Sequence, residues 1–245
     1  MPIIYLSPST QEFNPYATTG NEEYWMNRLT DTMEPMLTAS GIQFDRNTPD
    51  MTAGASIRAS NAGNYDLHLA LHSNAAGGGN TGKYRGIIAF YFPGSPQGQQ
   101  AAQLITDELK AIYPFPNLVR TEPTTSLGEV RRVRAPAVLL ELGFHDNVED
   151  ANWITSNIYS SAEAIVLALT EYFGLPFFPS SQPVPGRIRY EGSVVSVYDR
   201  PVFSTPKAFL YDGAPVEILN RYLDWVLIRF GEELGYVPAE FVAEG

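Results

Sequence analysis

Hydrophobic and polar positions follow two patterns along the first three quarters of the chain. Short apolar runs stand between longer stretches in which apolar residues return every three or four positions. The runs read as strands buried in a sheet, and the longer stretches as amphipathic helices. Strands are expected at residues 3–6, from 41 to 44, and at 66–72, 86–92 and 136–141. Asn21 can cap a helix that runs to about residue 39, with Gly41 as its stop. Trp25, Leu29, Met33, Met36 and Leu37 give that helix an apolar face, and Pro35 is expected to kink it. Glu22 and Glu23 sit in its first turn, where the helix dipole favours anions. Further helices are expected at 52–62, at 96–112 and at 160–173, the last stopped by Gly174. Asn147 followed by Val148, Glu149 and Asp150 reads as another helix start. Residues 113–134 read as a loop with Pro114, Pro116 and Pro123. Strands alternating with helices give an α/β fold, a largely parallel twisted sheet flanked by helices. This domain is expected to span residues 1–176.

Beyond residue 176 the pattern changes. Residues 177–187 are rich in Pro and Ser and read as a stiff, extended linker. After them come only short apolar segments, at 194–198, 208–211, 215–219, 225–230 and 235–237. They predict a small all-β barrel over 188–245.

Composition narrows the partners. The 245 residues carry a net charge of -11, which argues against nucleic acid. No apolar run approaches the ~20 residues of a membrane span. Residues 1–6 have no basic residue and too short an apolar run for a secretory leader, so synthesis in the cytoplasm is expected. The chain has no cysteine, which leaves His, Asp and Glu as metal ligands.

The most informative stretch is APAVLLELGFHDN, residues 135–147. An uncharged apolar run enters Glu141, and Gly143 and His145 follow. Ligands bind at the carboxyl ends of strands in α/β sheets, so Glu141 should lie at the lip of a cleft. DLHLALH, residues 66–72, reads as a strand between Gly63-Asn64 and the Ala76 to Gly79 turn. A helical reading would place His68 and His72 on one face, but the Glu of a metalloprotease helix is missing after His68. On a strand the two histidines are about 13 Å apart and do not share one metal. His72, at the strand end, is the ligand candidate, and His68 reads as a core histidine.

Three segments together resemble the zinc-dependent N-acetylmuramoyl-L-alanine amidases. ALHSNA, with His72, is similar to their zinc-binding strand end. APAVLLELGFHDN is similar to the strand that carries their catalytic glutamate, here Glu141. NEEYWMN, residues 21–27, resembles the helix start with their ligand glutamate, and the spacing to Asn27 selects Glu23 over Glu22. The resemblance covers about residues 3–176. It implies a Zn2+ enzyme of peptidoglycan, cleaving between the lactyl group of muramic acid and L-alanine of the stem peptide. Asn74 and Arg131 are the candidate substrate contacts. Residues 188–245, with GYVPAEFV near the end, resemble bacterial Src-homology-three barrels, common wall-targeting appendages. Tyr198, Tyr222 and Trp225 are the aromatics that such a barrel would offer. With no leader, the resemblance fits a phage lysin or a mother-cell lysis enzyme that reaches the wall on release.

One departure stands out. The family's first ligand is a histidine in the turn after the first strand. This chain has Ser7-Pro8-Ser9-Thr10-Gln11 there. His145 replaces the missing ligand, or Gln11 or Glu12 fills its place, or the site is degenerate. The last case makes the domain a non-catalytic wall binder on an amidase fold. Against it stands Glu141, for which a pure binder has no chemical need.

Overall fold

The computed structural model describes residues 1–179, 183–192 and 194–245. They form two compact units: residues 3–34 with 44–173, and residues 1–2 and 35–43 with 174–245.

In chain order the larger unit has β1 (Ile3–Pro8), α1 (Glu22–Ala39, its residues from Pro35 counted with the other unit), β2 (Gln43–Arg46), α2 (Ala53–Ala62), β3 (Leu67–Asn74), β4 (Ile87–Tyr91), α3 (Pro96–Ile112), β5 (Val119–Pro123), α4 (Gly128–Arg131), β6 (Ala137–Phe144), α5 (Val148–Ser156) and α6 (Ile158–Phe173). The sheet order is β2-β1-β3-β6-β4-β5. β1 pairs with β3, and β3 with β6, in parallel. β4 runs antiparallel to β6, and β5 is parallel to β4. The sheet is thus mixed but largely parallel, flanked by helices. Its central strands carry the core: Ile4, Leu6, Leu69, Leu71, Val138 and Leu140 are all fully buried. Apolar side chains on both faces of these strands exclude water from the backbone ladder.

Several elements differ from the sequence expectation. β5 and α4 lie inside the expected loop 113–134. α1 runs through Pro35 as one helix. Asn147, in contrast, caps α5 as the sequence predicts, and Thr52 caps α2, each through its side-chain oxygen.

The smaller unit contributes β7 (Val184–Ile188), β8 (Val195–Val197), β9 (Ala208–Leu210), β10 (Pro215–Tyr222), β11 (Trp225–Phe230), β12 (Glu233–Pro238) and β13 (Val242–Glu244). Among the described residues these form two antiparallel sheets, β12-β11-β10-β7-β13 and β8-β9. Ile188, Val197, Val226, Ile228 and Val237 fill its core. Of the expected linker, residues 180–182 lie outside the described residues, and part of the remainder is β7. Tyr198 and Trp225, read as binding aromatics, are buried ring against ring, while Tyr222 and Phe203 are exposed.

Candidate active site

The carboxyl ends of β1, β3 and β6 are neighbours, so the loops and helix that follow them converge. His72 of β3 is the register partner of Glu141 of β6. Just beyond this pair the register slips: Asn74 pairs with Phe144, so β6 carries one extra residue. Gly143 takes this bulge at φ +104°, a conformation that side chains rarely adopt. The bulge shifts the register directly after Glu141, and pairing resumes at Asn74 and Phe144 before the chain reaches His145.

His72 stands between two carboxylates. Its Nδ1 lies 2.8 Å from Oε1 of Glu22, and its Nε2 lies 3.2 Å from Oε2 of Glu129. Burial disfavours charge on the ring, but the bonds to Glu129 and Glu22 outweigh it and push the His72 pKa up to about 10. The carboxylates respond in the opposite sense. Burial opposes their charge, yet the bond from His72 holds Glu22 below its usual range, helped by Asn14 and Ser9. His68 and His72 together bring Glu129 down to about 2. The Nε2 of His68 is 3.4 Å from Oε1 of Glu129, and its Nδ1 meets the Ser60 hydroxyl at 2.9 Å.

Glu22, rather than Glu23, is the carboxylate on His72. Glu22 is at the start of α1 and almost fully buried. Asn21 accepts a hydrogen bond from the Tyr24 N–H and caps the helix. Consecutive helical residues point about 100° apart, as 3.6 residues per turn requires, so only one of the two glutamates faces inward. Glu22 shares its helical phase with Met26, Leu29, Met33 and Leu37, all fully buried. Glu23 points into a cleft of ≈ 770 Å³, whose wall also includes Gln11, Asn47, Asp50, His72 and Glu129.

His145 is also held elsewhere. Its Nδ1 lies 2.8 Å from the Ser73 carbonyl and 3.1 Å from the Ser73 hydroxyl, and its ring stacks on Tyr16 with centroids 5.4 Å apart. Successive side chains on a strand point to opposite faces. Ser73 follows His72 on β3, so its side chain draws His145 to the face away from the His72 ring. In the turn after β1, the Gln11 amide is 3.4 Å from His72 Nδ1 and accepts a hydrogen bond from Asn14, which also donates to Glu22. Neither Asn74 nor Arg131 lines the cleft, and Glu141, expected at its lip, and Glu22 also lie outside its lining, behind His72. Arg131 is exposed, and the Asn74 side chain accepts from the N–H of Ala75.

Glu141 is half-buried, and its Oε2, itself out of contact with solvent, has no hydrogen-bond partner. Burial pushes its pKa up to about 7, with the nearby Glu22 charge adding and the His72 charge opposing. A carboxylate poised near neutrality beside a charged histidine is suited to moving a proton during hydrolysis.

A half-buried carboxylate with a raised pKa at a strand end, beside a paired histidine and carboxylate, is an arrangement that hydrolysis can use. The chain belongs to the N-acetylmuramoyl-L-alanine amidase family, whose model matches residues 14–171. It is a peptidoglycan amidase. The matched segment starts beyond the turn that lacks the family's first histidine. Among solved structures, the amidase AmiC2 of Nostoc punctiforme aligns with TM-score 0.63 at 15% identity, over 71% of this chain and 97% of its own. The CwlD amidase of Clostridioides difficile, solved with the GerS lipoprotein, aligns with TM-score 0.62 at 19% identity, over 71% and 99%. The catalytic domain of the CD27L endolysin targeting Clostridia difficile aligns with TM-score 0.57 at 21% identity, over 70% and 97%. No curated protein sequence matches the chain.

Proposed function

We propose that this chain hydrolyses the muramoyl–L-alanine amide with a zinc ion held by His72 and Glu22, and with Glu141 as general base and acid. The donor types fit. An imidazole nitrogen and a carboxylate oxygen face each other at 2.8 Å, and zinc takes both kinds of ligand. The other nitrogen of the ring is occupied by a carboxylate, as in many metal-ligating histidines. No three His, Asp or Glu side chains form a complete cage among the described residues. The Gln11 amide, 3.4 Å from His72 Nδ1, stands in the turn where the resemblance places a histidine, and an amide is a weak zinc ligand.

Bound there, zinc would polarise the scissile carbonyl and acidify a water molecule. Glu141 takes the proton of the attacking water and hands it to the leaving amine. The burial of its Oε2 keeps bulk water from competing for that proton. The observation that carries this reading is the unpartnered Oε2 of Glu141 on the register partner of His72.

The antiparallel strands β7–β13 form, in this reading, a Src-homology-three-like barrel that holds the enzyme on the wall. Its exposed Phe203 and Tyr222 support that role, because flat aromatic faces bind sugars and peptides with little loss of side-chain entropy.

Mass spectrometry of the soluble products from purified peptidoglycan tests the chemistry. Stem peptides that begin at L-alanine, lost when a chelator is added and regained with zinc, are expected. Release unaffected by chelation would remove zinc from the reading, and cuts within the stem peptide would overturn the bond assignment.

A further inference from the structure

We propose that Glu129 is a positioning residue that aims Nδ1 of His72 at Glu22. This rests on the reading of His72 and Glu22 as a metal-ligand pair.

The charged His72 ring carries a proton on each nitrogen, and a metal must displace one of them; the neutral imidazole that remains has one N–H and one lone pair, and the partner of one nitrogen fixes the role of the other. His72 has a carboxylate on each side, and each attracts the ring N–H. If Nδ1 carries the proton, it points at Glu22 and its lone pair is lost to a metal. If Nε2 carries it, Nδ1 is free to ligate. In this proposal Glu129, 3.2 Å from Nε2, holds the ring N–H on that side and leaves Nδ1 for the metal.

The protein grips Glu129 for this task. It stands in α4, a helix of four residues, yet it is 5% exposed. The Ser7 hydroxyl donates to its Oε1, and Ser7 is in turn fixed by Ser56 at 2.5 Å and Asn47 at 3.4 Å. His68, held by Ser60, closes the same side. With Oε1 tied to Ser7 of β1, Oε2 is the oxygen left for His72. The resulting line runs from Ser7 through Glu129 and His72 to Glu22, from the end of β1 to the start of α1.

Losing this kind of outer carboxylate typically weakens metal binding about 10–100-fold. The test uses the full chain as wild type, Glu129→Gln, Glu129→Ala and His72→Ala. Zinc affinity is read by competition with a chromophoric chelator. The ligating nitrogen is read from 15N–113Cd coupling in cadmium-loaded protein labelled at histidine. Circular dichroism and a thermal melt report whether each variant is folded, and Glu129→Gln preserves shape if Glu129→Ala does not fold.

In the wild type, coupling to Nδ1 of His72 is expected. In Glu129→Gln, affinity should fall about tenfold or more, with the Nδ1 coupling weakened or shared with Nε2. Wild-type coupling through Nε2 would overturn the proposal. So would folded Glu129 variants that keep wild-type affinity and the Nδ1 coupling. If His72→Ala binds zinc as well as the wild type does, the ligand-pair reading fails first. Activity plays no part in these outcomes, so the two failures remain distinct.

Discussion

Two histidines near the same end of the sheet show how neighbours assign a role. His72 lies between the carboxylates of Glu22 and Glu129, and its pKa is held up at about 10. His145 meets a backbone carbonyl, a serine hydroxyl and the face of Tyr16. The first environment is built around charge and leaves one nitrogen facing a second ligand type. The second is neutral and fixes a loop to the body of the unit. Residue type alone makes the two equal candidates. The difference comes from strand geometry, which sends adjacent side chains of β3 to opposite faces.

The largest expected effect lies with the residue next to the charged histidine. Glu141→Gln should lower turnover on purified peptidoglycan about 10²–10⁴-fold, the usual contribution of a general acid–base group. Zinc content and the melting curve should stay near wild type, because Glu141 is not placed as a ligand. A variant with more than a tenth of wild-type turnover would remove Glu141 from the chemistry.

Replacing the histidines themselves sharpens the comparison. His72→Ala should lose bound zinc, measured by elemental analysis after gel filtration. His145→Ala should keep zinc at wild-type stoichiometry and instead lose about 1–3 kcal/mol of stability in urea, from the unpaired Ser73 groups and the lost ring stack. Loss of zinc from His145→Ala with its fold intact would reverse the two assignments.

Adjacent glutamates make the same point on a helix. Glu22→Gln removes a proposed ligand carboxylate and should weaken zinc binding by more than the about 10–100-fold that loss of an outer-shell partner costs. Glu23→Gln changes a residue on the cleft wall and should leave zinc affinity unchanged within about twofold. Equal losses in both variants would mean that the inward phase of Glu22 does not decide the ligand.

These particulars show what a reader of the sequence can recover. The central strands are legible because burial on both faces writes an unbroken apolar run, as in Leu69 to Leu71 and Val138 to Leu140. β5 is not, since Val119 is the only apolar residue among Arg120, Thr121, Glu122 and Pro123. The reversed direction of β4 leaves no mark either, because a buried run looks alike in both directions. Glu22 was legible in principle: counting back from Leu37 through Met33, Leu29 and Met26 puts a carboxylate on the buried stripe. Motif spacing to Asn27 points instead to Glu23, and the two signals disagree by one residue. Asn27 in fact donates to the Ser9 and Glu23 carbonyls, a loop-fixing role unrelated to a metal. Glu129 had no such signal. Its partners Ser7 and His72 are 122 and 57 positions away, and a single helical turn has no periodicity to reveal an inward face.

The smallest change tests the departure that separates this chain from its family. Gln11 lies 3.4 Å from His72 Nδ1, in the turn where the family resemblance places a histidine. Its amide is a poor zinc donor, whereas imidazole is a strong one. Gln11→His should therefore raise zinc affinity, by about tenfold or about 1.4 kcal/mol, if the turn already points its side chain at the metal position. The gain should vanish in the double variant with His72→Ala, because the new ring then has no partner nitrogen to share the ion with. Gln11→Ala should cost little, since a weak donor is all that is removed. A strong loss of zinc in Gln11→Ala would instead make the amide itself a working ligand, and the neutral turn would be a built part of the charged site.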